Sequence, residues 1–239
     1  MVSSALHSAV QWNFETHPAE SLLPGLPRGA ISEITGPQSS GRTALVHSLL
    51  AASTAAAEVS AIVDCNDSFD PASAQRAGAD LGKLLWVQCG GRVDHAMKAA
   101  DLILHGGGFG LVVLDLCEAP AATLQRLPLS YWYRFQRAIA NTPTVLVVAG
   151  SQPNAKSCAA RRLEMERGQA AWLGRAPFQL LGGVRLLAGL RKPARPEPVY
   201  LWAGPSFEST RISTQSLPGA GSPGGVNARI PTFGNSPRG

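Results

Sequence analysis

Five short apolar runs, spaced along the first 150 residues, constrain the fold more than any other feature of this sequence. Each run is too short for a helix and rich enough in β-branched residues for a strand, and segments with helical spacing lie between them. The runs cover 30–35, 61–63, 84–87, 111–114 and 144–148, and the helical segments cover 44–57, 73–79, 95–104 and 131–141. This alternation predicts an α/β fold with a mostly parallel central sheet covered by helices on both faces.

The pattern changes beyond residue 161. Residues 162–167 alternate between polar and apolar types, and 184–190 and 199–202 form further apolar runs, which predict a modest antiparallel extension of the sheet. We therefore expect an irregular lead-in over 1–25, one core domain over 26–212 and a disordered tail over 213–239. The tail is rich in glycine, proline and serine and has few large apolar groups with which to form a core.

Hydropathy and cysteine spacing indicate where the protein works. No apolar run approaches the roughly 18 residues that span a bilayer, and no signal-peptide pattern opens the chain. The four cysteines are spaced by 24, 28 and 41 residues, which fits neither a zinc site nor a compact disulfide framework. We expect a soluble, cytoplasmic protein with reduced thiols and no membrane partner.

The net charge of +5 conceals an asymmetry. Residues 1–130 carry 7 basic and 12 acidic groups, whereas 131–239 carry 14 basic and 4 acidic groups. A basic second half can attract phosphates or an acidic protein surface, although scattered surface arginines also serve solubility.

The segment Gly36-Pro37-Gln38-Ser39-Ser40-Gly41-Arg42-Thr43 fits a phosphate-binding loop at every fixed position but one, because Arg42 replaces the expected lysine. Glycines let successive backbone amides turn toward phosphate oxygens, and the helix that follows adds positive potential. The segment follows a predicted strand and opens a predicted helix, so we interpret it as a nucleotide-binding loop. The alternative is a glycine turn with a structural role alone.

Asp115 ends the predicted strand over 111–114, where such folds place the aspartate that organises Mg²⁺ through water. Thr43 would give the metal a hydroxyl ligand. The alternative is that Asp115 caps the next segment.

Three stretches together resemble the bacterial recombinase RecA around its nucleotide site. The first is Leu26-Pro27-Arg28-Gly29, the second runs from Glu33 to Thr43, and the third is Ile62-Val63-Asp64-Cys65-Asn66-Asp67-Ser68-Phe69-Asp70-Pro71. Gly78, Asp80, Leu84 and Leu85 extend the likeness, which covers residues 25–150 well and the remainder loosely. The resemblance implies a RecA-like core that binds ATP and Mg²⁺.

Departures from the RecA pattern imply a degenerate site. The position of the glutamate that polarises the attacking water holds Asn66, and an amide cannot accept that proton. Arg42 keeps the charge but replaces a compact ammonium with a planar guanidinium. We expect ATP and Mg²⁺ to bind weakly or not at all and expect no hydrolysis, unless Asp64, Asp67 or Asp70 replaces the missing base.

RecA also has two mobile DNA-binding loops. The first is absent or shortened here, because 118–130 has no glycine and a single basic residue, Arg126. The basic residues near the second are Lys156, Arg161, Arg162 and Arg167. They could hold single-stranded DNA or a protein partner, and four basic residues on an exposed edge are equally ordinary.

The truncated core, residues 127–132 and residues 157–160 look most like the ImuA group, RecA relatives associated with damage-induced mutagenesis. That resemblance implies an accessory protein of DNA repair in the SOS response and translesion synthesis, acting beside a translesion polymerase-like protein or a RecA filament. Two alternatives stay open. One is an active DNA-dependent ATPase, and the other is a regulatory binder of cell-division or filament proteins.

Overall fold

The computed structural model describes residues 25–175, 178–194, 199–203 and 212–214. The strands are β1 (Ala30–Thr35), β2 (Ser60–Asp64), β3 (Leu84–Gln88), β4 (Leu111–Asp115), β5 (Val145–Gly150), β6 (Ala159–Arg175), β7 (Phe178–Lys192), β8 (Val199–Ala203) and β9 (Ile212–Thr214). The α-helices are α1 (Arg42–Ala55), α2 (Pro71–Arg76), α3 (Val93–Gly106), α4 (Ala121–Gln125) and α5 (Leu129–Ile139).

In the described part of the chain all the strands form one sheet, in the order β3-β2-β4-β5-β1-β6-β7-β8-β9. The first five strands pair in parallel, and β6 pairs in parallel with β1. The strands from β7 to β9 pair antiparallel with their neighbours. The expected α/β fold is confirmed, including the antiparallel strands on its C-terminal side.

Alternation along each buried strand creates two apolar layers. On β4, Leu111 and Val113 join the layer that contains α1, whereas Val112 and Leu114 join the layer that contains α3 and α5. All four side chains are almost completely buried, as expected for parallel strands covered on both faces. On α5, Trp132 is buried with its ring edge-on to Phe135, so these aromatics form a helix face in the core.

The C-terminal extension is larger than the sequence pattern predicts. β6 and β7 have 17 and 15 residues and pair along most of their length. Their ends carry glycines and irregular apolar clusters, which obscure the two-residue period, but pairing in a hairpin still satisfies the backbone groups. β6 is also not an edge strand, because it lies between β1 and β7.

The boundary of the predicted tail moves slightly. Ser213 and Thr214, which the composition assigned to the tail, pair with Trp202 and Leu201 of β8. The lead-in up to Pro24 and the tail beyond Thr214 lie outside the described residues.

Among the described helices, none has the length and hydropathy needed to cross a bilayer. The four cysteines all lie in described segments and form no disulfide.

Candidate nucleotide site

The loop between β1 and α1 has the backbone of a phosphate-binding turn. Gly36, Ser39 and Gly41 all have positive φ angles, of 152°, 62° and 88°. Gly41 precedes the first residue of α1, and no side chain caps this helix end. The free amides at the start of α1 are therefore available to an anion.

The hairpin of β6 and β7 packs directly against this loop. A Cβ atom on Gly36 would lie 2.2 Å from the backbone oxygen of Met165, and one on Gly41 would lie 2.2 Å from Cδ1 of Leu186. Glycine is thus required here by close packing as well as by the backbone angles.

A cavity of about 530 Å³ opens beside the loop. The phosphate loop and α1 contribute Gln38, Ser39, Ser40, Gly41, Arg42, Thr43, Ala44, Val46 and His47. The other lining residues are Ile62, Ser68, Phe69, Asp115, Cys117, Glu118, Val184 and Leu186. The structure thus brings most of the predicted loop residues to one cavity with Asp115, while Gly36 and Pro37 lie outside its lining.

Asp115 and Thr43, the two residues expected to hold Mg²⁺, both line the cavity. The backbone N–H of Cys117 donates to Oδ1 of Asp115 over 2.9 Å, which fixes the carboxylate at the end of β4. Burial raises the pKa of Asp115, while this hydrogen bond and the charge of Arg42 oppose the shift. A carboxylate and a hydroxyl-bearing residue at one cavity could hold Mg²⁺, which uses few protein ligands and keeps several waters.

Arg42 is buried where the loop lysine is expected. Its side chain is 6% exposed, and Nη1 has no hydrogen-bond partner among the described residues. The hydroxyl of Ser40 is equally buried and equally without a described partner. Both residues line the cavity, although these two atoms are themselves buried.

Asn66 does not line the cavity. Its amide nitrogen lies 3.9 Å from the point that a Cβ atom on Gly91 would occupy, at the neighbouring loop after β3.

The three aspartates that could replace a missing base are held by backbone hydrogen bonds. Asp64 accepts from the amides of Ser68 and Phe69, at 3.1 and 2.8 Å. Asp67 accepts from the amides after β3, and Asp70 caps the N-terminus of α2. None of the three aspartates lines the cavity. Their observed role is to shape the loop that follows β2.

Two residues that sequence reasoning left out do line the cavity. His47 is 8% exposed, and Glu118 is exposed beside Cys117. The signal for His47 was its position four residues after Thr43, which places both side chains on one face of α1. The sequence alone gave no comparable signal for Glu118.

The predicted basic cluster does not act as one exposed group. Arg162 is bound to the buried carboxylate of Glu33 through Nε, at 3.0 Å, and its side chain is 23% exposed. Lys156 and Arg167 are exposed, and Arg161 is partly buried. Arg162 is thus committed to holding β6 against β1.

The remaining expectations about the RecA loops concern two segments. Residues 118–130, where the first DNA-binding loop would lie, contain α4 and the start of α5. The resemblance to RecA implies a phosphate-sensing polar pair at the end of β5, where this chain has Gly150 and Ser151, followed by Gln152. None of the three lines the cavity at the phosphate loop. Gln152 instead lines a smaller cavity with Asn154 and Lys156.

Comparison with known proteins supports the resemblance over part of the chain. A sequence model of the RecA N-terminal domain matches residues 19–125, which is less than half of the chain. Protein RecA of Methylococcus capsulatus is 39% identical over 103 residues, covering 42% of this chain and 29% of that protein. Protein RecA of Mycobacterium marinum is 37% identical over 103 residues, covering 42% and 30%. Protein RecA of Clavibacter michiganensis is 38% identical over 95 residues, covering 40% and 26%.

The matched part spans less than a third of the length of these curated relatives. It includes β1, the phosphate loop, α1 and the strand that ends in Asp115. The sequence matches, and a sheet order consistent with them, support a RecA-like core in this chain.

Proposed function

We propose that this chain is a RecA-like accessory protein of DNA repair, similar to the ImuA group, which acts through protein partners rather than by hydrolysing ATP. Its partner would be a translesion polymerase-like protein or a RecA filament, in the cytoplasm. The similarity to RecA supports the link to DNA repair. The observation that carries the non-hydrolytic role is that Asn66, at the position of the RecA base, has an amide side chain and is not among the residues that line the cavity.

The far end of the β6–β7 hairpin supports a role through partners. It carries five exposed apolar side chains beyond the packed part of the sheet, which are Trp172, Leu173, Phe178, Leu180 and Leu181. Phe178 is 86% exposed. An exposed apolar cluster of this kind is typical of a protein interaction surface.

The site would still hold a nucleotide weakly. The loop amides and Arg42 would contact phosphate, and Thr43 with Asp115 would hold Mg²⁺, which would neutralise phosphate charge when bound. Weak binding without turnover is the behaviour expected of a loop that keeps its anion site and has lost its base.

An active DNA-dependent ATPase is the second candidate, and Glu118 is the observation that favours it. This exposed carboxylate lines the cavity and has the chemistry of a general base. Asn66 would then be irrelevant to turnover.

Steady-state phosphate release, measured with and without single-stranded DNA, separates the two candidates. The unmodified protein, Glu118→Gln and the double variant Arg42→Lys, Asn66→Glu should be compared at equal ATP saturation. We expect turnover near background in the unmodified protein, since loss of a general base typically removes roughly 10² to 10⁴ in rate. DNA-stimulated turnover that disappears in Glu118→Gln would establish the ATPase and overturn the accessory proposal.

The partner itself can be tested by affinity purification from damaged and undamaged cells. We expect a translesion polymerase-like protein to be recovered after damage and to be lost with Phe178→Asp. Lys98→Asp, on the exposed surface of α3, is the matched control.

A further inference from the structure

The outer part of the β6–β7 hairpin extends beyond the strands that flank its base. The last residue of β6 that pairs with β1 is Glu164, and β8 pairs with β7 only over 184–188. Among the described residues, 170–175 and 178–183 therefore have no third strand on either edge. We call this two-stranded segment the outer ribbon. Two strands alone are marginally stable in water, so such a ribbon gains stability from contact with another surface.

The strand register places apolar side chains on both faces of the outer ribbon. Trp172 lies opposite Leu181, and Leu173 lies opposite Leu180. Opposite residues of an antiparallel pair share a face, and successive residues of a strand alternate between faces. One face therefore carries Trp172 and Leu181, and the other carries Leu173 and Leu180. Phe178, two residues before Leu180, shares the face of that leucine.

The distribution of these side chains over two faces indicates how the outer ribbon is covered. A flat surface packed against one face would leave the apolar side chains of the other face in water. The five side chains present an apolar area on the order of 500 Å², a large part of the roughly 800 Å² that one partner buries in a standard interface. A partner that wraps around the ribbon would bury both faces at once.

The charge of the hairpin indicates the chemistry of that partner. From residue 167 to residue 185 the sequence has three arginines and neither aspartate nor glutamate. Arg167, next to the base of the outer ribbon, is exposed. Two copies of the ribbon would bring like charges together, which opposes a homodimer through this surface, whereas an acidic surface is attracted to it.

Single-stranded DNA is also acidic, but the side chains of the outer ribbon favour a protein. Successive bases bind by stacking on a row of aromatic rings. The two rings of the ribbon, those of Trp172 and Phe178, lie on opposite faces and do not form one stacking platform. The three leucines of the cluster add apolar area that packs well against protein side chains.

We propose that the outer ribbon is the docking site for an acidic segment of a protein partner, which carries leucine or aromatic side chains and covers both faces of the ribbon. The inference rests on the proposed role through protein partners, and it assigns the chemistry of the partner and the way in which it binds. Trp172 and Phe178 anchor the segment, one on each face. The arginines attract its carboxylates.

The experiment selects random linear peptides from a phage-display library on the full, unmodified chain. We expect the selected peptides to be rich in Asp and Glu and to contain Leu, Phe or Trp. Trp172→Asp and Phe178→Asp should each weaken the binding of a selected peptide by about ten-fold or more, measured by fluorescence anisotropy. Leu102→Asp is the matched control, because Leu102 is 73% exposed on α3, and it should not change the affinity.

A second comparison tests the charge. Arg167→Gln should reduce the salt dependence of peptide binding, whereas Arg137→Gln, on the exposed surface of α5, should not. Because Trp172 and Phe178 are exposed, we expect both aspartate variants to keep the Tm of the unmodified protein. The peptide selection tests the acidic composition without any variant.

Several outcomes would overturn the inference. These are selected peptides without an acidic excess, or a peptide that binds Trp172→Asp or Phe178→Asp as tightly as Leu102→Asp. Self-association in analytical ultracentrifugation that is lost in Phe178→Asp would assign the ribbon to a second copy instead, and oligothymidylate binding lost in the same variant would assign it to single-stranded DNA. Failure of the peptide selection leaves the accessory role standing, whereas DNA-stimulated phosphate release would remove that role without changing the peptide result.

Discussion

Arg162 donates from Nε to the fully buried carboxylate of Glu33 over 3.0 Å, across the junction of β1 and β6. The other carboxylate oxygen accepts from the backbone amides of Asn154 and Ala155, both at 2.6 Å. Glu33 therefore joins β1, the loop after β5 and β6 through a single side chain.

Removing either partner of this pair should destabilise the protein strongly. We expect Glu33→Ala or Arg162→Ala to lower the free energy of unfolding by about 3–5 kcal/mol, since each change leaves buried charge or buried amides without partners. Urea unfolding at constant salt gives the value. Arg191→Ala removes the exposed contact to Glu164 and should cost about 1 kcal/mol or less. Similar losses of unfolding free energy for the Glu33–Arg162 pair and the exposed Arg191–Glu164 pair would contradict this expectation.

A test of DNA binding should use basic residues that are not committed to the fold. Lys156 and Arg167 are exposed, so alanine at both should weaken single-stranded DNA binding at low salt and reduce the salt slope by about 1.4. Fluorescence anisotropy over a salt series measures both quantities.

The matched control replaces Lys98 and Arg137, which are exposed on α3 and α5, with alanine. An equal loss of DNA affinity in the two double variants would indicate nonspecific attraction of DNA to positive charge. Unchanged affinity in both would mean that neither pair of basic residues contacts DNA.

The two loop glycines should differ in how well a methyl group is tolerated. Gly36→Ala drives Cβ against the backbone oxygen of Met165, which cannot rotate away, so we expect a loss of at least 3 kcal/mol. Gly41→Ala meets only the end of the Leu186 side chain. Leu186→Ala should therefore restore part of the stability lost in Gly41→Ala and none of that lost in Gly36→Ala.

Gly90→Ala is the control for backbone strain alone. Its φ is +60° and a Cβ atom there would meet nothing within 4 Å. We expect a cost of about 1 kcal/mol, from the left-handed backbone. A loss as large as that of Gly36→Ala would show that strain, and not the Met165 contact, governs the loop.

Asp115→Asn should stabilise the protein at neutral pH. Burial raises the pKa of Asp115 above its ordinary value of 3.8, so the folded state holds its proton more tightly than the unfolded chain. The protonated carboxyl group therefore contributes its full stability below pH 3.8, and this contribution is lost as the pH rises through the pKa of Asp115 in the folded protein. The Tm of the variant should thus rise relative to that of the unmodified protein as the pH increases, and should be the higher of the two at pH 7.

Asparagine keeps an acceptor for the amide of Cys117, so this hydrogen bond is not the source of the gain. Thermal unfolding at several pH values from 4 to 8 checks the sign. A Tm that falls in Asp115→Asn at pH 7 would mean that the carboxylate stabilises the fold.

The end of the chain gives a boundary test. Ending the chain after Gln215 should leave the Tm unchanged, because the composition of the residues beyond it does not support a core. Ending it before Ile212 removes β9 and its pairing with β8, and the Tm should fall. A fall of several degrees in the chain that ends after Gln215 would show that the residues beyond Gln215 contribute to the stability of the fold.

The parallel half of the fold could be predicted because its strands are buried on both faces. Continuous apolar runs such as that of β4 stand out against the helices around them, and their predicted bounds differ from the observed ones by a residue or two. The β6–β7 hairpin could not be predicted at its full length. Its outer part has exposed apolar residues such as Trp172 and Phe178, which follow no burial pattern.

The site was predictable only where a motif fixes the spacing. The phosphate loop and Asp115 follow from the sequence, whereas the direction of a side chain after a strand does not. Asn66 could be aligned with a RecA position, but its orientation toward Gly91 depends on the loop after β3. The ion pair of Arg162 with Glu33 likewise depends on which strand lies beside β1.

The position of β1 between β5 and β6 has a consequence for synthesis of the chain and for fragments of it. Both neighbours of β1 lie beyond residue 125, so the RecA-matching segment contains the phosphate loop but neither of the strands that hold it in the sheet. A ribosome must release more than 160 residues before β1 can be paired on both edges. The segment that matches RecA therefore does not coincide with a segment that can fold by itself. A fragment cut to the matched region would expose the backbone of β1 on both sides.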